Sequence, residues 1–225
     1  MSFYEQLQHA TADARAHLLT APVIQQTLAG QITLPTYIAF LTEAYHHVKH
    51  TVPLMMAVGA RLDEQHGWLR TAAAEYIEEE IGHEEWILND IRACGANPDA
   101  VRHGTPSFAT ELMVAYAYDT VQRRNPVGFF GMVQVLEGTS IQLATQAAHI
   151  IKAKLNLPQQ AFSYLLSHGS LDLEHVEFFR GLMDRVDDPA DQAAIIHAAN
   201  RFYQLYGDVF RSLPLPGDHA HAHAA

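Results

Sequence analysis

The sequence predicts an all-α protein. Apolar residues recur at three- and four-residue spacing along almost the whole chain, and alternating β-branched runs bounded by hairpin turns are nearly absent. Pro, Gly and turn residues then cut the chain into segments of helical length. The first runs from about Phe3 to Leu19, and Pro22 opens a short second one that closes at Ala29. The Thr33-Leu34-Pro35 signal starts a third, which continues to about Leu62 with a kink or local break at Pro53, because proline has no amide hydrogen to give the ladder. A fourth covers about Gly67 to Cys94 and stops at Gly95, and the stretch from Gly95 to Thr105 reads as a loop. A fifth spans Ser107 to Arg124. After the Asn125-Pro126 break a sixth runs from Pro126 to Leu155, and a seventh covers Pro158 to Val186. The last starts at Pro189, with Asp188 as N-cap, and ends near Leu213. Seven or eight helices with no shift in composition and no solenoid repeat predict one helical-bundle domain over 1–213, followed by a disordered His-rich tail over 214–225.

Composition narrows the function. With 225 residues, 48% of them hydrophobic, the chain has the apolar material for a substantial core, which excludes intrinsic disorder. The net charge of −11 repels phosphate backbones and anionic lipid, so neither nucleic acid nor a membrane is expected as a partner. Cys94 is the single cysteine, so no intramolecular disulfide can form, as suits a reducing compartment. No run of about 18 apolar residues is present, and the start Met1-Ser2-Phe3-Tyr4-Glu5 lacks the order of a secretory signal. The expected location is the cytoplasm.

Histidines, at 15, outnumber the 14 lysines and arginines together. His219, His221 and His223 lie in the tail, where they can pick up stray metal. Elsewhere their spacing matters, since residues at i, i+4 and i+7 of a helix fall within about 60° of arc and converge on one spot. His168, Asp172 and His175 form one such set, and Glu43, His47 and His50 form another. Glu79 and Glu80 precede His83 by four and three residues, and the Glu80 to His83 interval is the E-x-x-H spacing by which two-metal carboxylate bundles present ligands. Glu137 stands in the apolar stretch Phe129 to Leu136, where an ionised carboxylate costs several kcal/mol unless a cation or donor meets it. Each piece alone has a plainer reading, as a hydrogen-bonded core histidine or a solvated acidic face. Their coincidence on separate helices points to a two-metal site. Imidazole and carboxylate without thiolate suit iron first, with manganese as the other candidate, and not a structural zinc. Such a site is suited to O2 as co-substrate and to oxidation of an enclosed organic molecule.

At these residues the chain resembles the haem-oxygenase-like diiron oxidases and oxygenases, a branch of the TenA and PqqC superfamily whose fold is a seven- to eight-helix bundle. The likeness spans roughly Leu19 to Leu213 and rests on Glu79-Glu80-Ile81-Gly82-His83, Glu137, and the His168, Asp172, His175 set. It implies metal ligation by Glu79 or Glu80 with His83, Glu137, His168, Asp172 and His175, and two iron ions as the cofactor. One similar type within the branch is the CADD-type 4-aminobenzoate synthase, which consumes a tyrosine of its own chain. Ile24 and Ala147 stand here where that tyrosine and a functional lysine would be sought. Tyr45, Tyr76 and Tyr164 are other tyrosines that could be repurposed.

The function expected is therefore that of an O2-dependent non-haem diiron oxidoreductase acting on a small organic substrate, with 4-aminobenzoate synthesis as one possible setting. Glu43, Tyr45 and His47 are its candidate catalytic residues, with Glu43 as bridging or outlying carboxylate and His46, His47 and His50 as proton relays or as core histidines. The resemblance further implies a homodimer and an electron donor. The alternative is a metal-free, TenA-like thiamine-salvage hydrolase or ligand-binding bundle. That type uses a cysteine nucleophile, and Cys94 lies at a helix end far in sequence from Glu137. A haem-binding relative would need a proximal histidine near the amino end, for which His17 is the candidate.

Overall fold

The computed structural model describes residues 1–170 and 172–215, and the side chains of these apart from 142 and 168–175. Among the described residues the regular structure is entirely helical, as the apolar period predicts. The predicted first helix is two, α1 (Phe3–Ala10) and α2 (Ala12–Leu19), because the Thr11 hydroxyl bonds back to the Leu7 carbonyl (2.8 Å) and its φ of −113° leaves the helix. Then come α3 (Pro22–Leu28), α4 (Leu34–Val48) and α5 (Thr51–Arg61). The break between α4 and α5 falls at Lys49 and His50, not at Pro53 itself. The ring of a proline clashes with the carbonyl four residues back, which here belongs to Lys49.

The predicted helix from Gly67 to Cys94 is also two, α6 (Gly67–Glu80) and α7 (His83–Ala93), and Gly82 at φ +92° turns the chain between them. Within the predicted loop lies the short α8 (Pro98–Arg102), where Asn97 caps the amides of Asp99 and Ala100. α9 (Phe108–Arg123) leads through a 3₁₀ turn at Pro126–Phe129 into the long α10 (Phe130–Leu155). The predicted seventh helix opens with a 3₁₀ turn at Gln159–Ala161 and continues as α11 (Ser163–Ser170) and α12 (Asp172–Met183), residue 171 between them lying outside the described residues. α13 (Pro189–Ser212) closes the fold, with the Asp188 carboxylate accepting from the Ala190 amide at 2.6 Å.

α10 is the spine. Its first half, through Val135, packs into an apolar cluster with α5, α6, α9 and α13, and its second half, from Ala144, packs into another with α4, α7 and α11. Phe40 on α4 touches both clusters. Against α13 the spine comes backbone to backbone: a Cβ on Gly131 would lie 2.6 Å from the Ile195 carbonyl and the Ala199 amide. Only glycine fits there, so Gly131 sets the height of everything later on α10, Glu137 included. No helix among the described residues is long and apolar enough to cross a membrane.

Candidate metal centre and adjoining cavity

α6 finishes on Glu78, Glu79 and Glu80, three carboxylates at the negative end of its dipole, where they are disfavoured. Ile81 then leaves the helix, and the Gly82 turn makes His83 the first residue of α7. Across this turn His83 Nδ1 lies 3.1 Å from Glu80 Oε2. The E-x-x-H pair therefore meets through a glycine turn and not along one continuous helix. His83 is buried with its ring centroid 4.0 Å from that of Trp86, Glu80 is half-buried, and Glu79 faces outward.

Glu137 sits on α10 at the junction of the two apolar clusters, half-buried. Beside it is Tyr76 of α6, 2% exposed. Burial pushes the Tyr76 phenol far up, and the negative charges of Glu137, Glu79 and Glu80 push it further, in that order. Glu137 and the Glu80–His83 pair thus flank one buried phenol. Tyr164 of α11 closes the other side. Burial first, then Tyr206 and Glu80, hold its phenol protonated. Phe178 of α12 meets the Tyr76 ring edge-on at 5.5 Å.

His168, Asp172 and His175 lie outside the described side chains. The helices that carry 168 and 175 are placed: α11 packs on α10 and α7, and Tyr164 and Phe178, which face the centre, are one turn from positions 168 and 175. Among the described residues no three His, Cys, Asp or Glu side chains close on one point. The described part of the centre is Glu80 with His83, and Glu137 across Tyr76.

Next to this centre α3, α4, α10, α11 and α13 line a cavity of about 80 Å³ that opens to solvent. Tyr164 and Tyr206 belong to its wall, as do Ile24 and Ala147. Thr139 and Ser140, two and three residues after Glu137, line it as well.

The candidate catalytic residues of α4 diverge. The Glu43 carboxylate accepts from the Ser107 amide at 3.1 Å, the Ser107 hydroxyl at 2.9 Å and the Thr110 hydroxyl at 2.5 Å. It anchors the start of α9, and in this geometry it is not a carboxylate open to bridge metal ions. Tyr45 lies under the Lys49 ammonium, 5.3 Å from its ring. His47 is buried with its ring edge-on to Tyr206 at 5.7 Å, which leaves it one ring from the cavity. His46 accepts from Lys49 at 3.2 Å and His50 meets the Tyr118 hydroxyl at 3.1 Å; burial first and then Lys49 lower both pKa values and keep the rings neutral.

Asp90 has a part that sequence reasoning missed. Fully buried on α7, it accepts from the Ser163 amide (3.0 Å) and hydroxyl (2.5 Å) and from the Tyr164 amide (2.9 Å), so it caps α11 and fixes Tyr164. The signal was available, an Asp between Ile87 and Ile91 on an apolar helix face. Cys94 is buried at the end of α7, and burial with Asp90 pushes its thiol up to about 11. It does not line the cavity. His17 is exposed on α2.

The fold defines a haem-oxygenase-like helical protein. A family model described as iron-containing redox enzyme matches residues 38–207, and the chain belongs to that family. No curated protein matches it. Among solved structures, a domain of unknown function with a heme oxygenase-like fold from Shewanella denitrificans superposes with a TM-score of 0.84 at 24% identity, over 93% of this chain and 90% of that one. A TenA homologue from Pseudomonas syringae reaches 0.76 at 13% identity, over 92% and 90%. A CADD-like protein of unknown function from Nostoc punctiforme reaches 0.70 at 16% identity, over 92% and 96%. At these identities the likeness is one of fold.

Proposed function

We propose that this iron-containing redox enzyme is an O2-dependent diiron oxidoreductase that oxidises a small organic molecule. The meeting of the Glu80–His83 pair with Glu137 around buried Tyr76 carries the reading. These residues fit iron: carboxylates gathered at a helix C-terminus and inside an apolar core gain from a cation, and oxygen and imidazole donors suit this metal. Glu80, His83, Glu137, His168, Asp172 and His175 would hold the ions, with Glu80 taking the place left open between it and outward-facing Glu79. Bound iron supplies the electrons and the open coordination positions that O2 needs while a substrate is oxidised. Tyr76 keeps its proton beside Glu137 and can donate to a carboxylate oxygen without competing for the metal. Glu43 and Asp90 act as positioning residues, and His47 adjoins the cavity through its ring contact with Tyr206. An external electron donor completes the reaction where the substrate gives fewer electrons than O2 takes.

The fate of Ile24 and Ala147 supports oxidation of a supplied molecule over consumption of the chain's own tyrosine, since both line the cavity and neither offers a phenol or an amine. A hydrolase of the TenA type is less well supported, because Cys94 is buried away from the cavity with its thiol held protonated. The test is anaerobic Fe(II) titration of a chain whose tail histidines His219, His221 and His223 are replaced by serine. About two iron ions per chain are expected, and Glu137→Gln and His83→Ala should each lower this to one or fewer at unchanged helix content. Wild-type protein without tight iron, or variants that keep full stoichiometry, would overturn the reading.

A further inference from the structure

The cavity wall is predominantly apolar, with the hydroxyls of Thr27 and Tyr206 among its few polar groups. Among the described residues no Asp, Glu, Lys, Arg or His contributes to its wall. On one side, Phe40 lies nearly parallel to Tyr37 (15° between planes) and to Phe210 (10°), which makes a continuous aromatic face. Opposite, Leu143, Ala144, Ala147 and Ile151 of α10 present an aliphatic face, and the two alanines leave the room. The wall hydroxyls of Tyr37 and Thr36 are already committed, to the Ala161 carbonyl at 2.7 Å and the Pro214 carbonyl at 3.0 Å. Tyr164 feels the Glu80 charge, and Thr139 and Ser140 follow Glu137 by two and three residues on α10. A charged group drawn into such a wall would lose its hydration without a counter-charge, whereas an apolar group gains with every methylene it buries. An apolar wall of this kind favours uncharged apolar guests.

We propose that this cavity binds the hydrocarbon part of the substrate, a short uncharged alkyl segment, with the bond to be oxidised at the Thr139, Ser140 and Tyr164 end, toward Glu137 and Glu80. The inference rests on the redox reading for its direction, but the apolar specificity follows from the wall alone. It assigns the substrate to hydrophobic small molecules and sets aside amino acids and other zwitterions. Ala147 and Ile24 become specificity-determining residues: a larger side chain at 147 fills the space, and a smaller one at 24 lengthens it.

The experiment is calorimetric titration with a series of n-alkanols from methanol to octanol, in the metal-free protein and again after Fe(II) loading. Saturable binding is expected, with affinity rising about fourfold per methylene until the chain outgrows the cavity, and no binding of tyrosine or glycine. Ala147→Phe should weaken butanol at least tenfold. Ile24→Ala should move the break point to a longer alkanol by about one or two carbons, and it stands as the second variant if Ala147→Phe fails to fold. Equal binding of the zwitterions, no saturable site in the wild type, or alkanol profiles unchanged in both variants would overturn the proposal. Chains that load iron and bind no alkanol defeat the cavity inference alone. Chains that bind alkanols and load no iron defeat the diiron reading and support the cavity.

Discussion

Two kinds of carboxylate occupy the interior, and in the sequence they look alike. Asp90 and Glu43 sit at the starts of α11 and α9, where each gathers backbone amide and hydroxyl donors from a neighbouring helix. Glu80 and Glu137 sit where α6, α7 and α10 meet, and what surrounds them is an imidazole, a phenol and other negative charge. The first kind spends its charge on helix ends and is finished as structure. The second concentrates charge of one sign, an arrangement that gains from a cation. The difference teaches that a buried acid is read by what faces it, the amides and hydroxyls of a helix start in one case, and an imidazole, a phenol and further carboxylates in the other.

Thermal unfolding with and without Fe(II) gives the largest contrast between the two. Asp90→Ala strands the Ser163 and Tyr164 amides in the core and should cost about 2–3 kcal/mol, lowering Tm by about 5–10 °C whether or not iron is present. Glu137→Gln should leave the metal-free Tm within about 2 °C and remove the rise of about 5–10 °C that iron at a hundredfold excess over its Kd gives the wild type. If Asp90→Ala lost only the iron-dependent part, or Glu137→Gln only the metal-free part, the division of labour would be reversed. A smaller effect is expected at Glu43. Its carboxylate is half-buried, so Glu43→Ala should cost about 1–2 kcal/mol by chemical denaturation and leave iron stoichiometry intact. Loss of iron there would return Glu43 to the metal centre.

The architecture was legible because helical periodicity survives any choice of ends, and the Asp188 and Pro189 pair marked the start of α13 to the residue. The breaks were harder. At Thr11 a hydroxyl takes over a carbonyl four residues back, a choice open to any threonine on a helix, and at Gly82 a glycine leaves the helix where Gly138 and Gly181 stay in it. Asn97-Pro98 carried a start signal, yet the helix it opens has only five residues, too few for a period to show. At the site, Glu137 stood out because one carboxylate interrupts an apolar run. Glu43 misled, since the residues that claim it, Ser107 and Thr110, are 64 and 67 positions away. Local spacing shows which side chains share a face of one helix, and only packing shows what the next helix brings to that face.

A third arrangement sharpens the comparison, since at His66 carboxylates do meet a cation, and it comes from the chain itself. Both ring nitrogens are engaged, Nδ1 with Asp63 at 2.7 Å and Nε2 with Asp191 at 2.7 Å, while Asn125 donates to the other Asp191 oxygen at 2.6 Å. A doubly donating ring is an imidazolium, and the bond to Asp191, against some burial, raises the His66 pKa above its ordinary value. The pair ties the start of α6 to the first turn of α13. Because the folded value is raised, this stabilisation is fully present below about pH 6.5 and is lost as pH climbs through the folded value. His46 and His50, whose values are lowered, give the opposite slope, so the quantity to measure is the stability difference between wild type and His66→Asn. That difference should be larger at about pH 5.5 than at about pH 9 by up to about 1 kcal/mol, a modest figure because solvent reaches the ring. Equal differences at the two pH values would mean that His66 is held as a neutral ring, and that no charge is exchanged between α6 and α13.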